Sequence, residues 1–338
     1  DAEATGEMAV AVEQWQVEQL LESANLARSL GESVEFLDSH AVKEQVHSPT
    51  YLAGLWNRDS TLMLDPGKLV NGLQEVATSL GVTIFENSPV VDLEKSGNKI
   101  LVSTKSGKVS ADRVVVATNA FNPVLRKMRR YVIPVYDHVL VSEPLSGSQL
   151  ESLNWLNRQG VGDSGNQFHY YRLTKENRIL WGGYDAHYHF RSRMGPEVES
   201  NDQTCGMLAE HFFETFPQLE GLSFTHKWSG PIGTTTRFSC SWGSSHNGQV
   251  SWAVGYTGLG VGASRFGAQV ALDLVDGIDT ERTELEMVRK KPFPFPPEPF
   301  RWLGVQITSS MMKRSDRNEG RRGLWLKLLD RFGIGFDS

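Results

Sequence analysis

The sequence predicts a mixed α/β fold with α+β character, built from a layer of buried strands that feeds a glycine-rich loop and from a separate antiparallel sheet. Three observations predict it. An apolar strand over 250–254 runs straight into GYTGLGVGAS at 255–264, and a helical stretch follows to residue 276. A run of valines over 113–117 ends in ATNA, the pattern of a strand buried on both faces, with its carboxyl end where open α/β sheets keep their ligands. From 131 to 226 the pattern changes to long alternating strands, as in an antiparallel sheet with one face on a core.

In chain order, 6–12 reads as a strand and 14–30 as a helix with Val17, Leu20, Leu21, Ala24 and Ala27 on one face. Asp65 is an N-cap, Pro66 opens the next helix, Leu69, Val70, Leu73, Val76 and Leu80 form its apolar face, and Gly81 ends it. Strands are expected over 82–85, 89–93, 100–104 and 113–117, with a turn at KSGK, 105–108. In the alternating block, strands cover 131–142, 168–173 and 179–183, the last two joined by TKEN at 174–177. One helix interrupts at 204–216, with Met207, Leu208, His211, Phe212 and Phe216 facing the core. Five prolines in 290–300 impose an extended path, and a final amphipathic stretch over 313–331 is expected to fold back on its own domain.

Composition narrows the function. With 39% hydrophobic and 22% charged residues in 338, the chain reads as an ordinary globular protein with room for two domains. A formal charge of −6 argues against a general nucleic-acid binder. Cys205 and Cys240 are the two cysteines, too few for a disulfide framework or a thiolate metal site, which fits a reducing compartment. No apolar run reaches the ~18 to 20 residues of a membrane-spanning helix. The expectation is a cytoplasmic protein that acts on a small molecule, with no nucleic-acid or membrane partner and no metal. Asp185, His187 and His189 alternate and would share one face of a strand, but solvent- or substrate-facing polar residues explain them better than a metal does.

The glycines let backbone N–H groups approach a flat ligand, and the helix behind them offers its positive end. Their spacing is GxxGxGxG rather than GxGxxG, and no strand follows to complete a βαβ unit, so the loop is not read as the main pyrophosphate cradle. Tight strand-to-helix packing is the alternative role for these glycines.

Taken together, TGEMAVA at 5–11, DPGKLVNGL at 65–73, GVTIFENSPVVDL at 81–93, VVVATNAF at 114–121, HYYRLTKENRILWGGYD at 169–185, WSGPIG at 228–233 and GYTGLG resemble the FAD-dependent oxidoreductases of the D-amino-acid oxidase superfamily, in particular its γ-glutamylputrescine oxidase-like members. The resemblance implies FAD as cofactor. It places Val91 at the adenine through its backbone, Ala117, Thr118 and Asn119 near the diphosphate and ribitol, and Gly230, Gly255, Tyr256, Thr257, Gly258, Leu259 and Gly260 along the flavin ring. It also puts the substrate over the flavin on the antiparallel sheet, which makes Tyr171 and Arg172 candidates for orienting it. The alternative is that both are structural.

The likeness has gaps. Nothing here matches the family's opening βαβ unit with GxGxxG, so the expectation is an incomplete Rossmann-like FAD-binding domain and a chain that is the downstream part of a longer protein. Where sarcosine-oxidase-like relatives carry a substrate-binding Lys after the glycines, this chain has Val261, Gly262 and Ala263, which favours an amine over an α-amino acid. The expected division is 1–50 and 126–226 for the substrate domain, 51–125 and 227–280 for the FAD-binding segments, and 281–338 as a C-terminal extension. The expected activity is oxidation of an amine, such as a γ-glutamyl amine or polyamine, by hydride transfer to flavin N5 and hydrolysis of the imine. The rival is a non-catalytic remnant that binds no FAD alone.

Overall fold

The structure, a computed structural model, describes residues 1–59, 61–121 and 124–334. The first half of the chain provides β1 (Glu7–Ala11), α1 (Gln14–Ser29), β2 (Val34–Leu37), α2 (Ser39–Gln45), β3 (Ala53–Asn57), α3 (Pro66–Ser79), β4 (Val90–Ser96), β5 (Lys99–Thr104), β6 (Lys108–Ala111), β7 (Val114–Val116), β8 (Ile133–Ser142) and α4 (Gly147–Leu153). There follow β9 (Gly160–Asp163), β10 (His169–Leu173), β11 (Ile179–Gly183), α5 (Pro196–Glu199), α6 (Asp202–Thr215), β12 (Phe224–Thr234), β13 (Ser241–Ser245) and β14 (Val250–Val254). Five helices close the chain: α7 (Gly260–Asp276), α8 (Glu281–Glu284), α9 (Glu286–Arg289), α10 (Phe300–Asp316) and α11 (Leu324–Arg331).

An eight-stranded sheet runs β12-β8-β11-β10-β9-β1-β3-β2 and is antiparallel except where β1 lies parallel to β9. One face carries the largest core, in which Met8, Val10, Tyr51, Trp56, Leu140, Tyr171 and Trp181 meet Leu208, Phe212 and Phe216 of the α6 segment. The valine strand belongs elsewhere: β7 pairs parallel with β14, which pairs with β13, in a second sheet. The third sheet is the meander β4-β5-β6. Leu93 and Ile100 of that meander pack on Val116, Val250, Trp252 and Val254. Membership of the large sheet crosses the expected boundaries at 50 and 226, because β3 pairs with β1 and β12 continues to Thr234 along β8.

Several local expectations are corrected. Residues 82–85 are not a strand; no strand lies alongside them among the described residues, and a strand without a ladder partner leaves its backbone groups unpaired. β7 is not buried on both faces, since Val115 is exposed. The helix α3 has its Asp65 cap and its Pro66, but its apolar face of Leu69, Val70, Leu73, Val76 and Leu80 is exposed among the described residues. In α1, Leu21 faces out, while buried Gln16 turns back to accept from the N–H groups of Val12 and Glu13. Residues 185–189 make only a one-residue bridge from His187 to Tyr136. There Lys313 pairs with Asp185 at 2.6 Å and His187 meets Thr204 at 2.9 Å. The described residues contain no group of three or more His, Cys, Asp or Glu able to hold a metal.

The tail folds back. Asp316 of α10 accepts from Asn166 and from the N–H of Gln167, and Trp325 of α11 donates to Thr308. No helix among the described residues is long and apolar enough to cross a membrane.

Candidate functional site

Because β7 and β14 are parallel, their carboxyl ends leave the sheet side by side. One exits into Ala117–Ala120 and the other into the glycine loop, at the edge where open α/β sheets bind ligands. Asn119 ties them together. It holds a left-handed φ of 46°, and its Oδ1 accepts from the Gly255 N–H at 2.8 Å. The same oxygen lies close against β12, where a Cβ added to Gly233 would stand 2.4 Å from it. The Thr257 N–H completes the joint by donating to the Gly233 carbonyl at 2.9 Å.

The loop glycines have separate reasons. Gly255, at φ +81°, lies where a Cβ would strike the Thr235 methyl at 2.4 Å, so it is a packing glycine. Gly258, at φ +90°, has nothing within 4 Å of an added Cβ, as does Gly230, so these two border open space. Leu259 is exposed and its side chain supplies no cap to α7, which leaves the first-turn N–H groups to a ligand or to solvent. The Tyr256 ring turns back over α7, where a Cβ on Gly267 would stand 2.1 Å from its hydroxyl. Burial raises the pKa of that hydroxyl and pushes the neighbouring Cys240 thiol up to about 12.

The residues fit a bound flavin nucleotide on an independent observation. Thr118 Oγ, in the segment that leaves β7, is buried with no hydrogen-bond partner among the described residues, and such a group calls for one. Val91 is 55% exposed, at a bulge in the β4–β5 ladder that leaves it opposite no residue.

The sheet beside this joint carries polar groups on the face away from the main core. In register, Tyr170 lies opposite Gly182, and Gly182 opposite Val139, which puts Tyr170 and Asp137 on one face. Gly182 makes room, for a Cβ there would be 2.9 Å from the Tyr170 hydroxyl. Tyr170 donates to Asp137 Oδ2 at 2.6 Å, and Asp137 Oδ1 accepts the His138 N–H at 2.8 Å. Burial raises the Asp137 pKa, opposed by these hydrogen bonds. Directly across the ladder from Asp137 is Gly230.

Tyr171 is corrected: it points to the opposite face, is 2% exposed, and shares a 2.6 Å hydrogen bond with the buried Tyr51 hydroxyl. Arg172 does share the Tyr170 face, where burial lowers its pKa and the charges of Asp65 and Glu3 raise it. Tyr171 and Arg172 are adjacent in β10, whose side chains alternate, so at most one of the two can face a substrate on that side of the sheet. The carboxylate of Asp137, inside the apolar run IPVYDHVLVS, is a signal in the sequence of a polar group on this face.

Comparison with known proteins agrees with this arrangement. A family model described as FAD dependent oxidoreductase matches residues 1–274. The chain is 31% identical over 265 residues to the probable oxidoreductase OrdL of Haemophilus influenzae, covering 75% of this chain and 56% of that protein. It is 27% identical to the gamma-glutamylputrescine oxidoreductase of Escherichia coli, covering 80% of this chain and 61% of that one. The chain thus spans less than two thirds of the length of these curated relatives. Among solved structures, glycine oxidase from Geobacillus kaustophilus superposes with a TM-score of 0.69 at 19% identity, covering 83% of this chain and 73% of that chain. L-proline dehydrogenase from P. horikoshii gives the same score and identity over 83% and 74%. The chain belongs to the FAD-dependent oxidoreductases of the D-amino-acid oxidase superfamily, and FAD is that family's cofactor.

Proposed function

We propose that the protein carrying this chain oxidises an amine. The observation that carries this reading is the single joint made by Ala117–Ala120, Gly255–Gly260 and the Gly230–Gly233 stretch of β12, which abuts a polar sheet face bearing Tyr170 and Asp137. Asn119, Thr118 and the α7 N-terminus would hold the cofactor, with Val91 at its far end and Gly230 and Gly258 leaving room for the ring. FAD, when bound, supplies the hydride acceptor at N5. The protein's own part is to seat the amine-bearing carbon over that acceptor and keep the reacting nitrogen neutral, so that its lone pair can form the C=N bond as the hydride leaves. Water then hydrolyses the imine. Tyr170 and Arg172 line the substrate face in this reading, and γ-glutamyl amines and polyamines are the substrate classes to try first. The experiment is anaerobic reduction of the FAD-loaded protein by a panel of amines; bleaching of the flavin supports the reading, and its absence with every amine favours a non-catalytic chain.

A further inference from the structure

The last helix leaves an apolar row uncovered. In α11 and at its C-cap, Leu324, Leu328 and Phe332 follow one another in steps of four, so they share a face. They are 89%, 47% and 62% exposed, while Leu326 on the other side is buried and Trp325 donates to Thr308 of α10. Lys327 and Arg331 flank the exposed row, whereas Asp330, the one acid of α11, falls on the opposite side and pairs with Arg322. The pattern recurs in α10, where Phe300, Leu303 and Ile307 are exposed in steps of three and four and exposed Arg314 follows on their face.

Charge decides what covers such a face. Residues 300–334 carry eight Lys and Arg against three Asp and Glu, a net +5 in a chain whose formal charge is −6. The ion pairs of this region among the described residues are Lys313–Asp185, Arg321–Glu319 and Arg322–Asp330, which leaves Arg314, Arg317, Lys327 and Arg331 without one. A second copy docked on this face would set these cations against their own kind. An anionic bilayer takes both features at once, because apolar side chains sink toward the acyl boundary while Lys and Arg stems reach up to the headgroups. We propose that α10 and α11 form a membrane-surface element, which seats its apolar rows in the headgroup region of an anionic bilayer. This departs from the expectation of no membrane partner. That no described helix is long and apolar enough to cross a membrane concerns spanning, whereas a helix lying at the surface needs only one apolar face. Asp316 and Lys313 tie α10 to the rest of the chain, so docking brings the whole protein to the bilayer, independently of the amine-oxidising reading.

The test is co-sedimentation of the full chain with vesicles of phosphatidylcholine alone and of phosphatidylcholine with about one third phosphatidylserine, at about 0.15 M salt. Binding to the anionic vesicles should be at least about tenfold tighter, and the difference should collapse at about 1 M salt. Both measurements are made on the unaltered chain, so they stand even if a variant misfolds. Leu324→Ser, Leu328→Ser and Phe332→Ser together should weaken binding about tenfold or more with far-UV circular dichroism unchanged, since all three side chains are exposed. Lys327→Glu with Arg331→Glu should remove most of the preference for anionic vesicles. Equal binding to both vesicles, or full binding by the triple Ser variant, overturns the proposal. So does no binding to either, which would leave the face to a second copy if the chain self-associates in sedimentation velocity, and to an acidic protein partner if it is monomeric.

Discussion

Tyr170 and Tyr171 are neighbours in the chain, yet the pleat of β10 sends one to Asp137 and the other to Tyr51. Their truncations should therefore separate cleanly. Tyr171→Phe leaves the Tyr51 hydroxyl buried and unpaired, which should cost roughly 1–3 kcal/mol and lower the urea midpoint while flavin reduction by amine stays nearly unchanged. Adding Tyr51→Phe should recover most of that loss, since removing both partners leaves nothing unsatisfied. Tyr170→Phe also takes a donor from Asp137 and should lower the midpoint somewhat, but unlike Tyr171→Phe it should raise KM for the amine. Unfolding curves and anaerobic reduction kinetics on the three proteins check this, and a slower reduction in Tyr171→Phe than in Tyr170→Phe would mean that the faces are reversed.

At the scale of the element, the strand-loop-helix unit β14–α7 makes the sharpest prediction. Replacing Gly258 with Leu forces a branched side chain into a left-handed φ, at a cost of roughly 1–2 kcal/mol, and fills the open space at the loop. FAD content should fall about tenfold or more with far-UV circular dichroism unchanged, a loss of about 1.4 kcal/mol or more in binding. Gly262→Ala, in the first turn of α7 with nothing within 4 Å and no left-handed φ, is the control that should retain FAD. Equal FAD content in Gly258→Leu and the parent would assign the glycines to packing alone. Much of this unit was legible in the sequence, because glycine spacing, an apolar strand and the helical stretch to Asp276 are local signals. The face of α3 was legible as a pattern and not as a place: periodicity states which residues share a side, and burial depends on what lies across from it. The same holds for 82–85, whose β-branched residues suit a strand that has no neighbour here.

For the whole molecule, the boundary between substrate sheet and cofactor layer was legible only approximately, since β12 serves both: it pairs with β8 over its length and bonds to the glycine loop at its end. Long-range register of this kind leaves no local trace. Behind the same sheet, His138 is 1% exposed, has no partner for either ring nitrogen among the described residues, and has its pKa lowered to about 4, mainly by burial and then by His187. An unfolded chain takes up this proton below the ordinary histidine value of about 6.5, whereas the folded one resists it until about pH 4. Stability from this group is thus complete above about pH 6.5 and lost progressively down to about pH 4, in total roughly 3 kcal/mol. His187, His189 and His211 are shifted in the same direction, and Asp137, raised by burial, works against them. The contribution of His138 is isolated by His138→Leu, which should flatten the fall in urea midpoint between neutral pH and pH 4; parallel curves for the two proteins would contradict the assignment.

In the proposed reading, the joint of β7, β14 and β12 holds FAD against a sheet face that presents an amine. The most direct test of that reading is the anaerobic titration of the FAD-loaded protein with diamines and polyamines, γ-glutamyl amines, monoamines and α-amino acids, followed by flavin absorbance. The expected result is stoichiometric bleaching by an amine and slower bleaching by α-amino acids. Flavin that stays fully oxidised with every amine would contradict it.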